Sequence, residues 1–205
     1  MTKKLVVASV VVLAACPPAP LPPVTPSESW PDKCRDYDRV TEAWTRSAVL
    51  HGQYQEVLDV SATFKSPEWR CSHAMNEAKL GGLNDDARKQ LLAKAQADMS
   101  GPYEVELMVT TWDRRENDLD HGKYSVWHVV LEDAAGNQLE PLEIVKDKRP
   151  PFTVRAEFAA LGDFAVPYIV RFPHTSPVLD SHAVKLHMSS ERGQVEVAWK
   201  SEPEK

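Results

Sequence analysis

The spacing of apolar residues changes near Tyr103, and from there it is the spacing of β-strands. Apolar residues recur at every second position from Tyr103 to Thr111, which predicts a strand with one buried face. Residues 126–131 are apolar on both faces and predict a central strand. Four further segments alternate in the same way: Val154/Ala156/Phe158, Tyr168/Val170/Phe172, Val184/Leu186/Met188 and Val195/Val197/Trp199. Six or seven strands in roughly 100 residues are typical of an antiparallel β-sandwich, here over residues 101–202.

Residues 36–98 have the spacing of helices instead. A first helix is indicated by Val40, Ala43, Trp44 and Ala48, and Gly52 ends it. Residues 54–62 predict a second helix, residues 69–80 a third, and Asn84 is a suitable N-cap for a fourth. The predicted fold is therefore α+β, with an N-terminal helical-hairpin domain over residues 34–100 followed by the β-sandwich.

The two glycine stops of this half are followed by similar phrases. Gly52 precedes Tyr54 and Val57, and Gly82 precedes Ala87 after a matching interval. These turns resemble those of tetratricopeptide-type helical hairpins. The resemblance implies a groove that binds a partner, whereas a packed helical bundle would show the same helix spacing.

The N-terminus combines a basic start with a short apolar run over residues 5–15. About eleven apolar residues are too few to cross a bilayer, which takes roughly 20, but they suit a secretory signal peptide. Leu13-Ala14-Ala15-Cys16 resembles the lipobox of bacterial lipoproteins. The resemblance implies removal of residues 1–15, lipidation of Cys16 and attachment to the membrane through that lipid. Because Pro17 rather than aspartate follows the cysteine, it also implies outer-membrane localisation, on either the periplasmic or the cell-surface side.

Residues 16–33 are rich in proline and are interpreted as a linker. Proline-rich chains favour polyproline II, which rises about 3.1 Å per residue and cannot collapse into a compact coil. We expect this segment to hold the folded part away from the bilayer.

Two cysteines remain once Cys16 is assigned to lipid. Cys34 and Cys71 form an even pair in an oxidising compartment, which predicts a disulfide, and two free buried thiols are the alternative. No CxxC or HxxxH spacing accompanies either cysteine, so zinc is not expected.

The segment after the first predicted strand, WDRRENDLDHGKYS, is the densest polar cluster in the chain. Its carboxylates Asp113, Asp118 and Asp120 are hard oxygen ligands of the kind that calcium uses. Their spacing does not match an EF-hand, and neighbouring basic residues cancel much of the charge. A solvated hairpin loop is the preferred interpretation and calcium the weaker one; no other metal and no cofactor is expected.

Aromatic and histidine side chains supply the remaining candidates. Met108, Trp112 and Trp127 form either a sugar-binding face or a surface that the helical domain covers, and the covered surface is the preferred interpretation. His128 lies inside an apolar strand, where a structural histidine is expected, and His182 and His187 fall on opposite faces of a strand. Without a nucleophile and base at readable spacing, we do not expect an enzyme.

The overall charge narrows the classes of partner. The formal net charge is −6, so the chain lacks the basic surplus that nucleic-acid binding requires. The sequence thus predicts an outer-membrane-anchored lipoprotein that acts as a non-catalytic interaction or assembly module for an envelope protein. The alternative is a β-sandwich lipoprotein that binds glycan or calcium.

Overall fold

The computed structural model describes residues 22–181 and 183–200, with two antiparallel sheets and short helices around them. The helices of this part are Tyr37–Trp44 (α1), Pro67–Leu80 (α2), Asp85–Ala97 (α3) and Pro151–Glu157 (α4). The strands are Thr45–His51 (β1), Glu56–Phe64 (β2), Tyr103–Thr111 (β3), His128–Asp133 (β4), Gln138–Leu139 (β5), Glu143–Lys146 (β6), Val166–Phe172 (β7), Ala183–Ser190 (β8) and Gly193–Lys200 (β9).

The nine described strands divide into two sheets. The first sheet has the order β1-β2-β3-β7-β6 and the second has the order β5-β4-β8-β9. One apolar cluster contains buried residues of both sheets, such as Leu107 of β3 and Leu186 of β8. Trp199 of β9 packs edge-on against Phe64 of β2 and donates a hydrogen bond to the Trp44 carbonyl oxygen at 2.7 Å. The sheets thus form a sandwich-like pair around one core.

The predicted N-terminal helical-hairpin domain over residues 34–100 is wrong. Residues 45–51 and 56–64 form β1 and β2, and β2 pairs with β3 in the first sheet. Side chains of β2 are buried on both faces of the sheet, so adjacent Val57 and Leu58 are both apolar, a pattern that fits a helix as well as a strand. Residues 34–100 therefore share the core of the sandwich and supply two of its strands.

Part of the helical prediction is present as the pair α2 and α3. These helices pack on each other across the turn at residues 81–84. Asn84 caps α3 by accepting a hydrogen bond from the Ala87 backbone N–H at 2.9 Å. No residue of α3 is buried.

The strand predicted at Val154, Ala156 and Phe158 is also wrong, because residues 151–157 form α4. Pro151 is tolerated in the first turn of a helix but cannot donate to a strand ladder. Val154 and Phe158 lie four residues apart and are both buried. The ring of Phe158 stacks on Trp69 of α2 at 5.7 Å between centroids.

The end of the proline-rich linker packs on the fold instead of standing free. Val24 is 2 % exposed and belongs to the apolar core. The Arg46 guanidinium donates to the Pro22 carbonyl oxygen at 3.0 Å. Tyr103, at the start of β3, donates from its hydroxyl to the Glu28 carboxylate. These contacts fix residues 22–28 at the end of the first sheet where β3 begins.

Candidate functional site

The predicted disulfide between Cys34 and Cys71 is confirmed. The bond joins the segment before α1 to α2, with the two Cα atoms 5.2 Å apart. Two further contacts hold the same helices together: the Trp44 indole donates to Glu68 at 2.9 Å, and the Trp69 indole donates to Thr41 at 3.1 Å. Cys16, the predicted lipidation site, lies outside the described residues.

The three weak calcium candidates are not brought together. Asp113 accepts from Arg115 at 2.6 Å, and this hydrogen bond lowers the pKa of Asp113 to about 2. Asp118 accepts from the Ser125 hydroxyl at 2.9 Å, and Asp120 pairs with Lys146 at 2.9 Å. Within residues 22–181 and 183–200, no group of three or more His, Cys, Asp or Glu side chains is placed to hold a metal ion.

The predicted aromatic face is divided by the fold. Met108 and Trp127 are buried, and the Trp127 indole donates to the Glu116 carbonyl oxygen at 2.8 Å. Trp112 is 71 % exposed. Met108 and Trp127 therefore belong to the packed interior, and Trp112 alone of the three is open to a ligand.

The histidines of the sandwich lie beside carboxylates. His128 Nε2 is 3.1 Å from Glu140, and its side chain is exposed although its strand is otherwise apolar. His187 Nε2 is 3.4 Å from Glu132. His182 lies outside the described residues. Both described imidazoles therefore have a carboxylate within ion-pair distance.

Trp112 forms one wall of a cavity of about 400 Å³ on the outer face of the first sheet. In the β2–β3 ladder Asp59 lies opposite Thr110, and the Trp112 backbone N–H continues the ladder to the Val57 carbonyl oxygen at 3.2 Å. Strand side chains alternate between faces, so these residues point away from the core that Leu58 faces. This Trp112 cavity is lined by Glu56, Asp59, Thr110, Trp112, Arg114 and Phe164, among others.

Two exposed rings and two carboxylates determine the chemistry of the Trp112 cavity. Phe164 is 72 % exposed, and the Arg114 guanidinium lies 5.5 Å from the centroid of its ring. Glu56 and Asp59 form no ion pair with any described residue. Partial burial raises the pKa of Asp59, and the neighbouring Glu56 carboxylate raises it further. Both carboxylates would therefore gain from a cation in the cavity.

A second cavity, of about 450 Å³, lies at the other end of the same face between α1 and the end of α4. Its lining includes Tyr37, Asp38, Glu42, Thr45, Ser47 and Phe158. The Tyr37 hydroxyl donates to the Glu157 carbonyl oxygen at 2.8 Å, and burial raises the pKa of Tyr37 to about 12. We call this the Tyr37 cavity.

An open strip of β1 and β2 connects the two cavities, and we call it the outer strip. It consists of the outward side chains Thr45, Ser47, Val49, Asp59 and Ser61. The Ser47 and Ser61 hydroxyls are 2.6 Å apart across the strands. The strip thus presents hydroxyls between two cavities that carry carboxylates and aromatic rings.

A buried ion network occupies a different part of the same face, beneath α2. Lys65 Nζ lies 2.8 Å from the carboxylate of Glu106, which is 0 % exposed. Burial raises the pKa of Glu106, although Lys65 opposes the shift. Burial also acts on Glu104, but Lys65 and a 2.7 Å hydrogen bond from Arg171 outweigh it and hold the pKa of Glu104 below its usual value.

The network continues through Arg149, which joins two more acids. Arg149 donates to Asp147 at 2.6 Å and to Glu157 at 2.7 Å. Burial would raise the pKa of both carboxyl groups, yet the hydrogen bonds from Arg149 help to lower it. Because each acid of this network faces a cation, we interpret it as a structural element that holds α2 and α4 to the sheet.

Sequence reasoning missed most of the outer strip. Glu56 and Asp59 fell within a predicted helix, and they meet Trp112 only through the β2–β3 pairing. Phe164 follows the turn sequence Gly162-Asp163, which places its ring in a surface loop.

Comparisons with known proteins leave the site to be interpreted from its geometry. No protein-family model matches the chain, and no curated protein or solved structure shows significant similarity to it. In the described part of the chain, no helix has both the length and the apolar character needed to cross a bilayer.

Proposed function

We propose that this chain is an outer-membrane-anchored lipoprotein that binds another envelope protein through the outer strip and catalyses no reaction. The observation that carries the proposal is the pair of exposed rings, Trp112 and Phe164, at the rim of the Trp112 cavity. Large exposed aromatic side chains are costly in water and are enriched among the residues that dominate binding energy at protein interfaces.

The position of the N-terminal segment supports this role. Glu28 contacts the start of β3 at Tyr103, whereas Trp112 follows the end of that strand. Nine steps of about 3.3 Å place the Trp112 end roughly 30 Å from the attached end. A lipid at Cys16 would therefore leave the Trp112 cavity on the far side of the fold, open to a neighbouring protein. Tethering also raises the effective concentration of the partner.

Glycan binding is the second candidate, favoured by one feature of the strip. The paired hydroxyls of Ser47 and Ser61 lie between the two cavities, and sugars bind to hydroxyl groups and to exposed indole rings. The ion network and the histidine pairs favour neither candidate.

Photocrosslinking in intact cells tests the proposal. Photoreactive benzoylphenylalanine is placed at Val49, which lies in the outer strip. The matched control carries the same photoreactive residue at exposed Gln194 in β9. We expect specific crosslinked proteins at Val49 but not at Gln194, and their loss in the Trp112→Ala variant. Tyr124→Ala, which removes another exposed ring, should leave them unchanged.

Two results would contradict the proposed function. One is a set of crosslinked proteins at Val49 that Trp112→Ala does not alter. The other is binding of purified protein to peptidoglycan or polysaccharide that depends on Trp112, which would establish the glycan alternative.

A further inference from the structure

Both cavities at the ends of the outer strip contain carboxylates that form no ion pair with a described residue. Asp38 and Glu42 line the Tyr37 cavity, and Glu56 and Asp59 line the Trp112 cavity. None of the four forms an ion pair with a described residue, whereas the carboxylates of the buried network all face lysine or arginine. Arg114 also lines the Trp112 cavity, but the four carboxylates outnumber it, so the strip with its cavities is net negative and complementary to a basic ligand.

The rings of the Trp112 cavity add a second preference for cations. Arg114 already lies over the face of Phe164, at 5.5 Å, so this rim accommodates a guanidinium against an aromatic ring. Trp112 has no cation over its ring among the described contacts. A lysine or arginine from a ligand could contact the indole and the Asp59 carboxylate together.

The edges of the first sheet direct such a ligand to its face. A peptide can extend a sheet only where an edge strand is open. β1 lies against β9, where Arg46 donates to the Ala198 carbonyl oxygen at 3.2 Å, and β6 packs against residues 119–124. Because other elements lie against both edges, we place the ligand on the outer face of this sheet, along the outer strip and its two cavities.

The length of the strip sets the size of the ligand. β1 runs from Thr45 to His51, which spans about 20 Å at roughly 3.3 Å per residue. An extended peptide of about seven residues has the same length. We propose that the outer strip binds an extended basic segment of the partner protein, with one lysine or arginine in each cavity. This inference rests on the proposed function and names the chemistry of the partner.

Defined peptides test this chemistry on the full-length protein in detergent. The probe is a seven-residue peptide with lysine at both ends and glycine and serine between them, titrated by calorimetry. Matched peptides carry arginine, glutamine or glutamate at the two ends. We expect the lysine and arginine peptides to bind, the glutamine and glutamate peptides not to bind, and the affinity to fall as salt is raised.

Neutral variants locate the contacts. The double variant Glu56→Gln with Asp59→Asn should bind the lysine peptide with about fivefold lower affinity. Each charge pair at a partly exposed site contributes only a small part of the binding free energy. Asp38→Asn with Glu42→Gln should have a similar effect at the other cavity. Glu191→Gln, an exposed acid in the β8–β9 turn, is the control and should change nothing.

The possible results separate this inference from the proposed function. Three results would each overturn the inference that the strip binds a basic segment. The basic peptides could show no binding up to millimolar concentration, the glutamine peptide could bind equally well, or both neutral double variants could bind the lysine peptide as the wild type does. If Trp112→Ala still abolishes the crosslinks at Val49 in that case, the proposed function stands with a different partner chemistry. If it does not, both fail.

Discussion

At the scale of single residues, the Lys65–Glu106 pair is the contact whose loss we expect to cost most. Glu106 is fully buried and Lys65 is its nearest cation, at 2.8 Å. Removing one partner of a buried pair leaves an uncompensated charge, so Lys65→Met should lower the free energy of unfolding by about 3–5 kcal/mol at neutral pH. Adding Glu106→Gln to that variant should recover most of the loss. Urea unfolding of both variants checks this.

The same pair predicts a dependence on pH with a defined sign. In Lys65→Met, burial raises the pKa of Glu106 with no lysine to oppose it. Stability from a group with a raised folded-state pKa is present below its unfolded pKa, about 4.3, and is lost as the pH rises. The loss of unfolding free energy in Lys65→Met, relative to the wild type, should therefore be small near pH 4 and grow towards neutral pH. Lys89→Met, at an exposed position of α3, should show no such trend; a deficit that shrinks towards neutral pH would contradict the assignment.

At the scale of elements, the Cys34–Cys71 disulfide is expected to hold α1 and α2 in place. The two cysteines are separated by 37 residues, and closing a loop of that size contributes about 3–4 kcal/mol in the chain-entropy model. The double variant Cys34→Ala with Cys71→Ala should lose about that much stability in urea unfolding. Reduced wild-type protein should lose a comparable amount. A loss below about 1 kcal/mol in both would show that the other α1–α2 contacts suffice.

The elements also show which parts of the fold the sequence could predict. β7, β8 and β9 each bury one face in the core, so their alternation is readable. β3 is buried on both faces, but its polar residues Glu104 and Glu106 keep the alternation visible in the sequence. α3 is readable from its Asn84 cap although none of its residues is buried. β2 is buried on both faces, which removes the alternation. α4 has buried residues at a helical spacing of four, but Val154, Ala156 and Phe158 also match a strand.

The candidate site was less predictable than the fold for a related reason. The place of Trp112 on the polar side of a predicted strand made it a candidate for exposure, although burial beneath the helical domain was the preferred interpretation; Trp112 is 71 % exposed. Its neighbours Asp59 and Phe164 come from distant parts of the chain and meet it only through the β2–β3 pairing and the loop before β7. Such long-range juxtapositions depend on the topology, which the spacing of single segments does not encode.

At the scale of the whole molecule, the packed N-terminal segment would limit how far the proposed lipoprotein can stand from the membrane. Pro22 is already in contact with Arg46, so a lipid at Cys16 is connected to the fold by six residues rather than by the whole linker. Six residues reach at most about 20 Å when fully extended. Pro22 and its partner Arg46 would lie within that distance of the bilayer, and the Trp112 cavity lies at the opposite end of β3, roughly 30 Å from Tyr103.

This arrangement predicts that the proposed lipid anchor supports partner binding as well as membrane attachment. Cys16→Ser should release the protein from the membrane fraction or leave an uncleaved precursor, as judged by fractionation and intact-mass analysis. Because the variant loses the effective concentration that tethering supplies, crosslinks from Val49 should also fall, although the strip is unchanged. Restoring the anchor with an unrelated lipoprotein signal and lipobox should restore both. A wild-type mass that shows an unmodified Cys16 thiol would refute the anchor, and full crosslinking by the released variant would show that the partner is bound without tethering.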